Sequence, residues 1–223
     1  MAVEPQFTLY STVVGPNGWK VAMVLAELGL IYRTIYPDFA KKEQKGPEFL
    51  KLNPNGRIPV LVDHHYNNFT LWESNAIIEY LVTKYDTGNR LSFGDFDNQQ
   101  YMRQWMYFQA SGQGPYYGQA VWFMKNCHGE PREVVERYQN ETRRVISVLE
   151  RVLSQQEWLV GGKLSVADIS FLQWNTSADR IILGSEFIDK EAPHVRRWMN
   201  AIIARPAIAA IMQERMKLLS AQT

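Results

Sequence analysis

The fold of this chain is decided by the stretch Asn53-Pro54-Asn55-Gly56-Arg57-Ile58-Pro59-Val60-Leu61, which is followed by Trp72-Glu73-Ser74. Pro59 stands directly before an apolar run, although a proline has no N–H to donate to a sheet and is confined to strand starts, edges and bulges. A cis peptide bond before Pro59 explains this placement, because X-Pro is the bond at which the cis form costs little. Such a bond would leave the backbone N–H and C=O of Ile58 facing outward, free to pair with an extended peptide.

Glu73 and Ser74 open an amphipathic helix whose apolar residues recur at helical spacing from Ala76 to Leu81. The first turn of a helix carries unsatisfied N–H groups and positive dipole character, which suits a carboxylate. A strand-edge backbone and a helix N-terminus, brought together, predict a site for a small anionic peptide. The residues alone leave a second interpretation open, in which a proline-terminated strand is followed by an ordinary capped helix.

The first part of the chain alternates between strand and helix patterns. We predict strands at residues 7–11, 31–36, 60–63 and 69–72 and helices at residues 19–28, 47–50 and 74–84. The first two strands are joined by a helix and should be parallel, whereas the last two should form a hairpin. The predicted order is βαβ–ββα.

Helical periodicity dominates after a polar, glycine-containing linker. We predict a helix at 99–113, ended by Gly112 and Gly114-Pro115, with residues 116–125 as a second helix or as its continuation after a kink. Further helices are predicted at 132–153 and at 165–182, with two more beginning near Pro193 and Pro206. Ser165 and Asp168 have the spacing of an N-terminal capping box. The predicted division is residues 1–86, a linker at 87–97, and an all-helical domain at 98–223.

The composition restricts the classes of partner. The chain has 223 residues and a net charge of +1, which argues for neither nucleic acid nor an anionic membrane surface. Its single cysteine, Cys127, excludes an internal disulfide and fits a reducing compartment. No run approaches the roughly 20 apolar residues of a membrane span. We therefore expect a cytoplasmic protein with no nucleic-acid or membrane partner.

Three motifs carry a resemblance to a known family: Ile58-Pro59, Glu73-Ser74 and Ser165-Val166-Ala167-Asp168. In this order and spacing the chain resembles a soluble glutathione transferase over essentially its whole length. The stretches Pro16-Asn17-Gly18-Trp19-Lys20-Val21 and Trp72-Glu73-Ser74 are similar to the fungal branch that includes the globular domain of the yeast nitrogen-regulating prion protein. The resemblance implies an N-terminal thioredoxin-like domain of α/β type, an all-α C-terminal domain, glutathione as substrate and a homodimer.

The resemblance also implies a group that stabilises the glutathione thiolate at the first strand-to-helix turn. In the fungal branch this group is an asparagine, and Asn17 matches it in Pro-Asn-Gly. Ser11 and Thr12 are the competing candidates, and Asn17 could also be a plain helix N-cap.

The remaining glutathione contacts follow from the same resemblance. Ile58, held by Pro59, would pair its backbone with the cysteinyl residue, and Glu73 and Ser74 would take the γ-glutamyl amine and carboxylate. The glycyl end would be reached by Gln44 and Arg57, although Gln44 departs from the basic or imidazole side chain of some relatives.

A second pocket, for a hydrophobic electrophile, is expected between the two halves. Its candidate wall is Tyr116, Tyr117, Trp122, Phe123 and Trp174, which could instead be core aromatics. Cys127 beside His128 is interpreted as a bystander. No metal site is expected, since His64 and His65 are adjacent on a strand and face opposite sides.

We therefore expect a glutathione transferase that conjugates glutathione to hydrophobic electrophiles, with glutathione-dependent disulfide or peroxide reduction as a side activity. The alternative is a non-catalytic glutathione-fold binder or regulator.

Overall fold

A computed structural model describes residues 4–126, 132–184 and 186–221 of the chain. The chain forms two compact units. The first contains the N-terminal residues to Gly88 together with the segment from Ile203, and the second runs from Asn89 to Ile202. None of the described helices combines the length and the hydropathy that crossing a membrane requires.

The elements follow the predicted order closely. The strands are β1 (Phe7–Tyr10), β2 (Tyr32–Ile35), β3 (Val60–Asp63) and β4 (Phe69–Trp72). The helices are α1 (Pro16–Glu27), α2 (Pro47–Leu52), α3 (Ser74–Tyr85), α4 (Phe96–Phe108), α5 (Gly114–Asn126), α6 (Arg132–Leu153), α7 (Val166–Ser177), α8 (Phe187–Glu191), α9 (Pro193–Ile203) and α10 (Pro206–Ser220).

The first unit is built on a four-stranded mixed sheet with the strand order β2-β1-β3-β4. β1 pairs parallel with β2, and β3 pairs antiparallel with β1 and with β4. The predicted parallel pair and hairpin are therefore confirmed. All four residues of β3 are buried, as expected for a central strand.

The segment from Ile203 packs in the first unit because α10 lies against α1. Ile208 and Ile211 are buried, and Arg205 donates to the carboxylate of Glu27 over 2.6 Å. The sequence alone grouped this segment with the helical domain, because an apolar helix face does not say which neighbour it will cover.

The second unit is helical, and two of its helices contain a π-helical turn. α4 continues through the π turn Gln109–Gln113 into α5, where the N–H of Gly114 donates to the carbonyl of Gln109. The predicted helix end at Gly112 and Gly114-Pro115 is therefore wrong, and the alternative, in which residues 116–125 continue the helix, is the one observed. The π turn shifts the register of hydrogen bonds, and the proline then falls in the first turn after it, where its missing N–H is tolerated.

The predicted capping box at the start of α7 is confirmed. Asp168 is fully buried and its Oδ2 accepts from the Ser165 N–H over 2.9 Å and from Ser165 Oγ over 3.0 Å. Its Oδ1 accepts from the N–H of Leu159 and from Nε1 of Trp198, both over 2.9 Å. The carboxylate therefore fastens the helix start to the preceding loop and to α9.

Candidate functional site

The turn between β1 and α1 separates the three candidates for the thiolate-stabilising group. Ser11 is 2% exposed, and a Cβ added to Gly18 would lie only 1.9 Å from Ser11 Oγ. Only a glycine at position 18 allows α1 to approach the end of β1 this closely. The hydroxyl of Ser11 is thus packed against α1 at Gly18.

Asn17 and Thr12 are both half-buried. Asn17 is in the first turn of α1, where the N-cap residue is Gly15, which has no side chain to cap the helix. A Cβ added to Gly15 would lie 2.8 Å from Thr12 Cγ2 and 3.8 Å from Ile58 Cδ1. The glycine thus allows the turn before Asn17 to approach the side chain of Thr12 closely, and the same turn lies next to Ile58.

This turn is held by donors that the sequence did not reveal. Nε1 of Trp19 donates to the carbonyl of Val13 over 2.9 Å, and Arg215 on α10 donates to the carbonyl of Val14 over 2.8 Å. An indole and a guanidinium are both rigid donors, so the backbone leading into α1 has a fixed position before any ligand arrives.

The peptide bond between Ile58 and Pro59 is cis, as predicted. Among the described residues, none hydrogen-bonds to the backbone N–H or C=O of Ile58. The preceding loop is shaped by Asn53, which is 2% exposed. Its Nδ2 donates to the carbonyl of Arg57 over 2.7 Å, and its Oδ1 accepts from the N–H of Asn55 over 2.9 Å. Asn53 is a positioning residue that the sequence reading missed, although Asn-Pro-Asn-Gly is a turn signature.

Gly56 allows the loop before Ile58 to approach Gln44. It has a φ of +61°, and a Cβ there would lie 2.8 Å from the carbonyl oxygen of Gln44. The Oε1 atom of Gln44 is buried and, within the described residues, has no hydrogen-bond partner. Arg57 follows Gly56 and is exposed. The loop that carries Arg57 therefore lies against the backbone of Gln44, whose buried side-chain oxygen could accept from an N–H or O–H donor.

The N-terminus of α3 is not capped by the side chain of its N-cap residue. Glu73 is its N-cap residue, with φ +68° and ψ +109°, and its side chain is exposed and makes no capping hydrogen bond. A non-glycine residue at this φ costs of order 1–3 kcal/mol and is found most often at functional sites. Ser74 is 6% exposed and begins the helix. A carboxylate placed here would meet free N–H groups beside a hydroxyl.

Lys20 is the most unexpected residue near this site. It is 2% exposed, and its Nζ donates to Oδ1 of Asn75 in the first turn of α3 over 2.6 Å. Burial lowers the pKa of the Lys20 ammonium to about 7, and the carboxylate of Glu73 opposes that shift. A lysine in a helix is ordinarily solvated, so its burial here could not be predicted from the sequence.

The five aromatic residues predicted for a second pocket all lie in the second unit. Tyr117 is fully buried and donates to the carbonyl of Thr142 over 3.3 Å, and Trp174 is 9% exposed. Their rings meet edge-on at 6.4 Å. These two side chains belong to the core of that unit.

The other three aromatics are nearer the surface. Tyr116 and Phe123 are half-buried and lie against Tyr138, with ring centroids 6.3 and 5.6 Å apart, and Trp122 is 52% exposed. Cys127 and His128 lie outside the described residues. Within the described ranges, no cluster of three or more metal-ligating side chains is present.

Comparison with known families assigns both parts of the chain. Residues 5–83 match the N-terminal domain of glutathione S-transferases, and residues 115–206 match the C-terminal domain. Glutathione S-transferase 1 of Schizosaccharomyces pombe is 44% identical over 226 residues, which cover 96% of this chain and 98% of that protein. Transcriptional regulator URE2 of Saccharomyces cerevisiae is 38% identical over 237 residues, covering 91% of this chain and 66% of that protein.

Solved structures give the same answer. The glutathione transferase URE2P6 from Phanerochaete chrysosporium, in complex with oxidized glutathione, has a TM-score of 0.94 at 52% identity, covering 97% of this chain and 99% of that one. Ure2p5 from the same organism, cocrystallized with 1-(S-glutathionyl)-2,4-dinitrobenzene, has a TM-score of 0.90 at 47% identity and covers both chains completely.

Proposed function

Since the chain belongs to the glutathione S-transferase family, we propose that it conjugates glutathione to hydrophobic electrophiles, with Asn17 as the donor to the thiolate. The thiolate sulfur attacks an electrophilic carbon, a carbon–sulfur bond forms, and the leaving group departs with the bonding electrons. The thiol proton goes to solvent. The protein's part is to keep the sulfur ionised and correctly placed, which takes a hydrogen-bond donor and the positive end of a helix.

The observation that carries this proposal is the difference between Ser11 and Asn17. The hydroxyl of Ser11 is packed beneath Gly18, whereas Asn17 is half-buried in the first turn of α1. Of the two, only Asn17 combines an amide donor with the uncapped helix start. The position of this turn next to Ile58 supports the same assignment, because the cysteinyl residue would pair with the Ile58 backbone.

We assign the γ-glutamyl end of the peptide to Glu73 and Ser74 and the glycyl end to Gln44 and Arg57. The uncapped start of α3 supports the first assignment. The exposed guanidinium of Arg57 supports the second, because it can donate to the glycyl carboxylate, whereas Oε1 of Gln44 can accept only from an N–H such as that of the glycyl residue. By analogy with the relatives' complexes we further propose that the electrophile is aromatic and contacts Tyr116, Trp122 or Phe123. A homodimer in the cytoplasm is part of the same proposal.

The test is conjugation of 1-chloro-2,4-dinitrobenzene by the wild type and by the variants Asn17→Ala, Ser11→Ala and Thr12→Val. We expect Asn17→Ala to lower kcat/KM by about a hundredfold, as removal of one preorganised donor does elsewhere. Ser11→Ala and Thr12→Val should stay within about threefold of the wild type, a change of under 1 kcal/mol. An unchanged rate in Asn17→Ala would contradict the assignment.

The same purified protein can be used to distinguish an enzyme from a protein that only binds glutathione. A parallel assay of glutathione-linked disulfide and peroxide reduction measures the proposed side activity. Calorimetric binding of glutathione without turnover in any of these assays would favour a non-catalytic binder over the enzyme.

A further inference from the structure

Lys20 connects the two helix starts that the proposed function requires. It lies on α1 one turn after Asn17, and its Nζ reaches Asn75 on α3 over 2.6 Å. Asn75 directly follows Ser74, and Glu73 is the charged group that acts on the ammonium. The buried amine of Lys20 is therefore hydrogen-bonded to the residue next to the pair assigned to the γ-glutamyl end.

Charges on the other elements packed against α1 act elsewhere. Arg215 on α10 donates to the carbonyls of the β1–α1 turn, and Glu214 acts on two tyrosines of the β2 region. Tyr10, the titratable residue of β1, packs edge-on against an aromatic ring of α2. Two opposing causes act on the pKa of Lys20: burial lowers it and the carboxylate of Glu73 raises it.

We propose that Lys20 is a positioning residue whose ammonium holds Asn75, the neighbour of Ser74, in place for the γ-glutamyl group, and that glutathione binds preferentially to the form in which Lys20 is protonated. This inference rests on the proposed function. The ligand brings a carboxylate to the start of α3, and a new negative charge near a buried ammonium favours its charged form. Binding and protonation of Lys20 are then linked, so each promotes the other.

The direction in which glutathione affinity changes with pH follows from the pKa of Lys20. Because burial leaves the ammonium with a pKa of about 7, a large part of the free protein carries neutral Lys20 at pH 8. Binding at pH 8 must then take up a proton, and affinity must fall as pH rises through 7. Linkage to one proton allows Kd to rise by at most about tenfold per pH unit.

The experiment is calorimetric titration with S-hexylglutathione, which has no thiol to ionise. Titrations at pH 8 in buffers of different ionisation enthalpy give the number of protons taken up. We expect about half a proton or more per site in the wild type, because one full proton is the limit for a single group. We also expect Kd to rise severalfold between pH 7 and pH 8.

The variant Lys20→Gln keeps a hydrogen-bond donor but cannot ionise. We expect it to lose the uptake and the pH dependence of Kd, whereas the control Lys51→Gln, on the exposed face of α2, should keep both. The peptide amine contributes equally to all three proteins, so the difference between them isolates Lys20.

The outcomes separate the two proposals. Tight binding to the wild type without proton uptake, or uptake that persists in Lys20→Gln, would overturn the role of Lys20 and leave the glutathione site intact. Absence of S-hexylglutathione binding to the wild type would overturn both. The wild-type measurement does not depend on the folding of any variant.

Discussion

Two helices of this protein begin with a serine and an acidic residue, and they use them in opposite ways. At α7, Asp168 turns inward and accepts four hydrogen bonds from Ser165, Leu159 and Trp198. At α3, Glu73 stays exposed, makes no capping bond and holds a φ of +68°. The first helix start is satisfied by its own chain and serves folding, while the second is kept open and suits a ligand.

The two helix starts differ because their N-cap residues have different backbone conformations. Ser165 has an extended conformation, with φ −136° and ψ 175°, so the carboxylate three residues later can reach its N–H. Glu73 adopts a conformation that few non-glycine residues take, and its side chain makes no capping hydrogen bond. The same residue types therefore cap the helix start in one unit and leave the helix start without a side-chain cap in the other.

The largest expected effect is a loss of stability when the capping carboxylate of α7 is removed. We expect Asp168→Ala to lower the free energy of unfolding by about 3–5 kcal/mol, because several buried donors lose their acceptor at once. Urea denaturation measures this loss, and Asp97→Ala, an exposed acid in the first turn of α4, is the control. A loss below about 1 kcal/mol would mean that the capping box is not a folding element.

The matching change at α3 should affect binding and spare stability. We expect Glu73→Gln to weaken S-hexylglutathione binding by about 10- to 100-fold, the value of a charge-assisted hydrogen bond. Unfolding free energy should change by less than about 0.5 kcal/mol. Glu48→Gln, another exposed acid of the same unit, should change neither. Retained affinity in Glu73→Gln on calorimetric titration would remove this residue from the site.

A glycine at the same position tests the strained backbone. We expect Glu73→Gly to raise the free energy of unfolding by about 1 kcal/mol, because glycine adopts a positive φ without steric cost. Thermal denaturation with the ligand absent measures the gain. A variant that is less stable than the wild type would show that the conformation of Glu73 is not strained.

Both helix starts could be predicted from the sequence because their signals are local. Ser165 and Asp168 are three residues apart, and the position of Pro59 directly before a strand indicates a cis peptide bond. Glu73-Ser74 precedes an apolar periodicity. For the same reason the parallel pairing of β1 with β2 and the hairpin of β3 and β4 could be predicted from the order of elements.

The sequence could not provide the features that depend on which elements meet. Lys20 is buried because α3 packs on α1, and nothing in its neighbours along the chain distinguishes it from a solvated lysine. Arg215 reaches the β1–α1 turn because α10 returns to the first unit. The continuity of the helix through Pro115 depends on a π turn, which has no simple residue signature.

The central claim is that the Ile58 backbone and the open start of α3 together bind glutathione, and a crystal structure of the protein with glutathione tests it most directly. The account predicts hydrogen bonds from the cysteinyl residue to the N–H and C=O of Ile58, with the γ-glutamyl carboxylate on Ser74 and its amine on Glu73. It also predicts the sulfur within hydrogen-bond reach of Asn17. A peptide bound elsewhere, with the start of α3 unoccupied, would contradict the account.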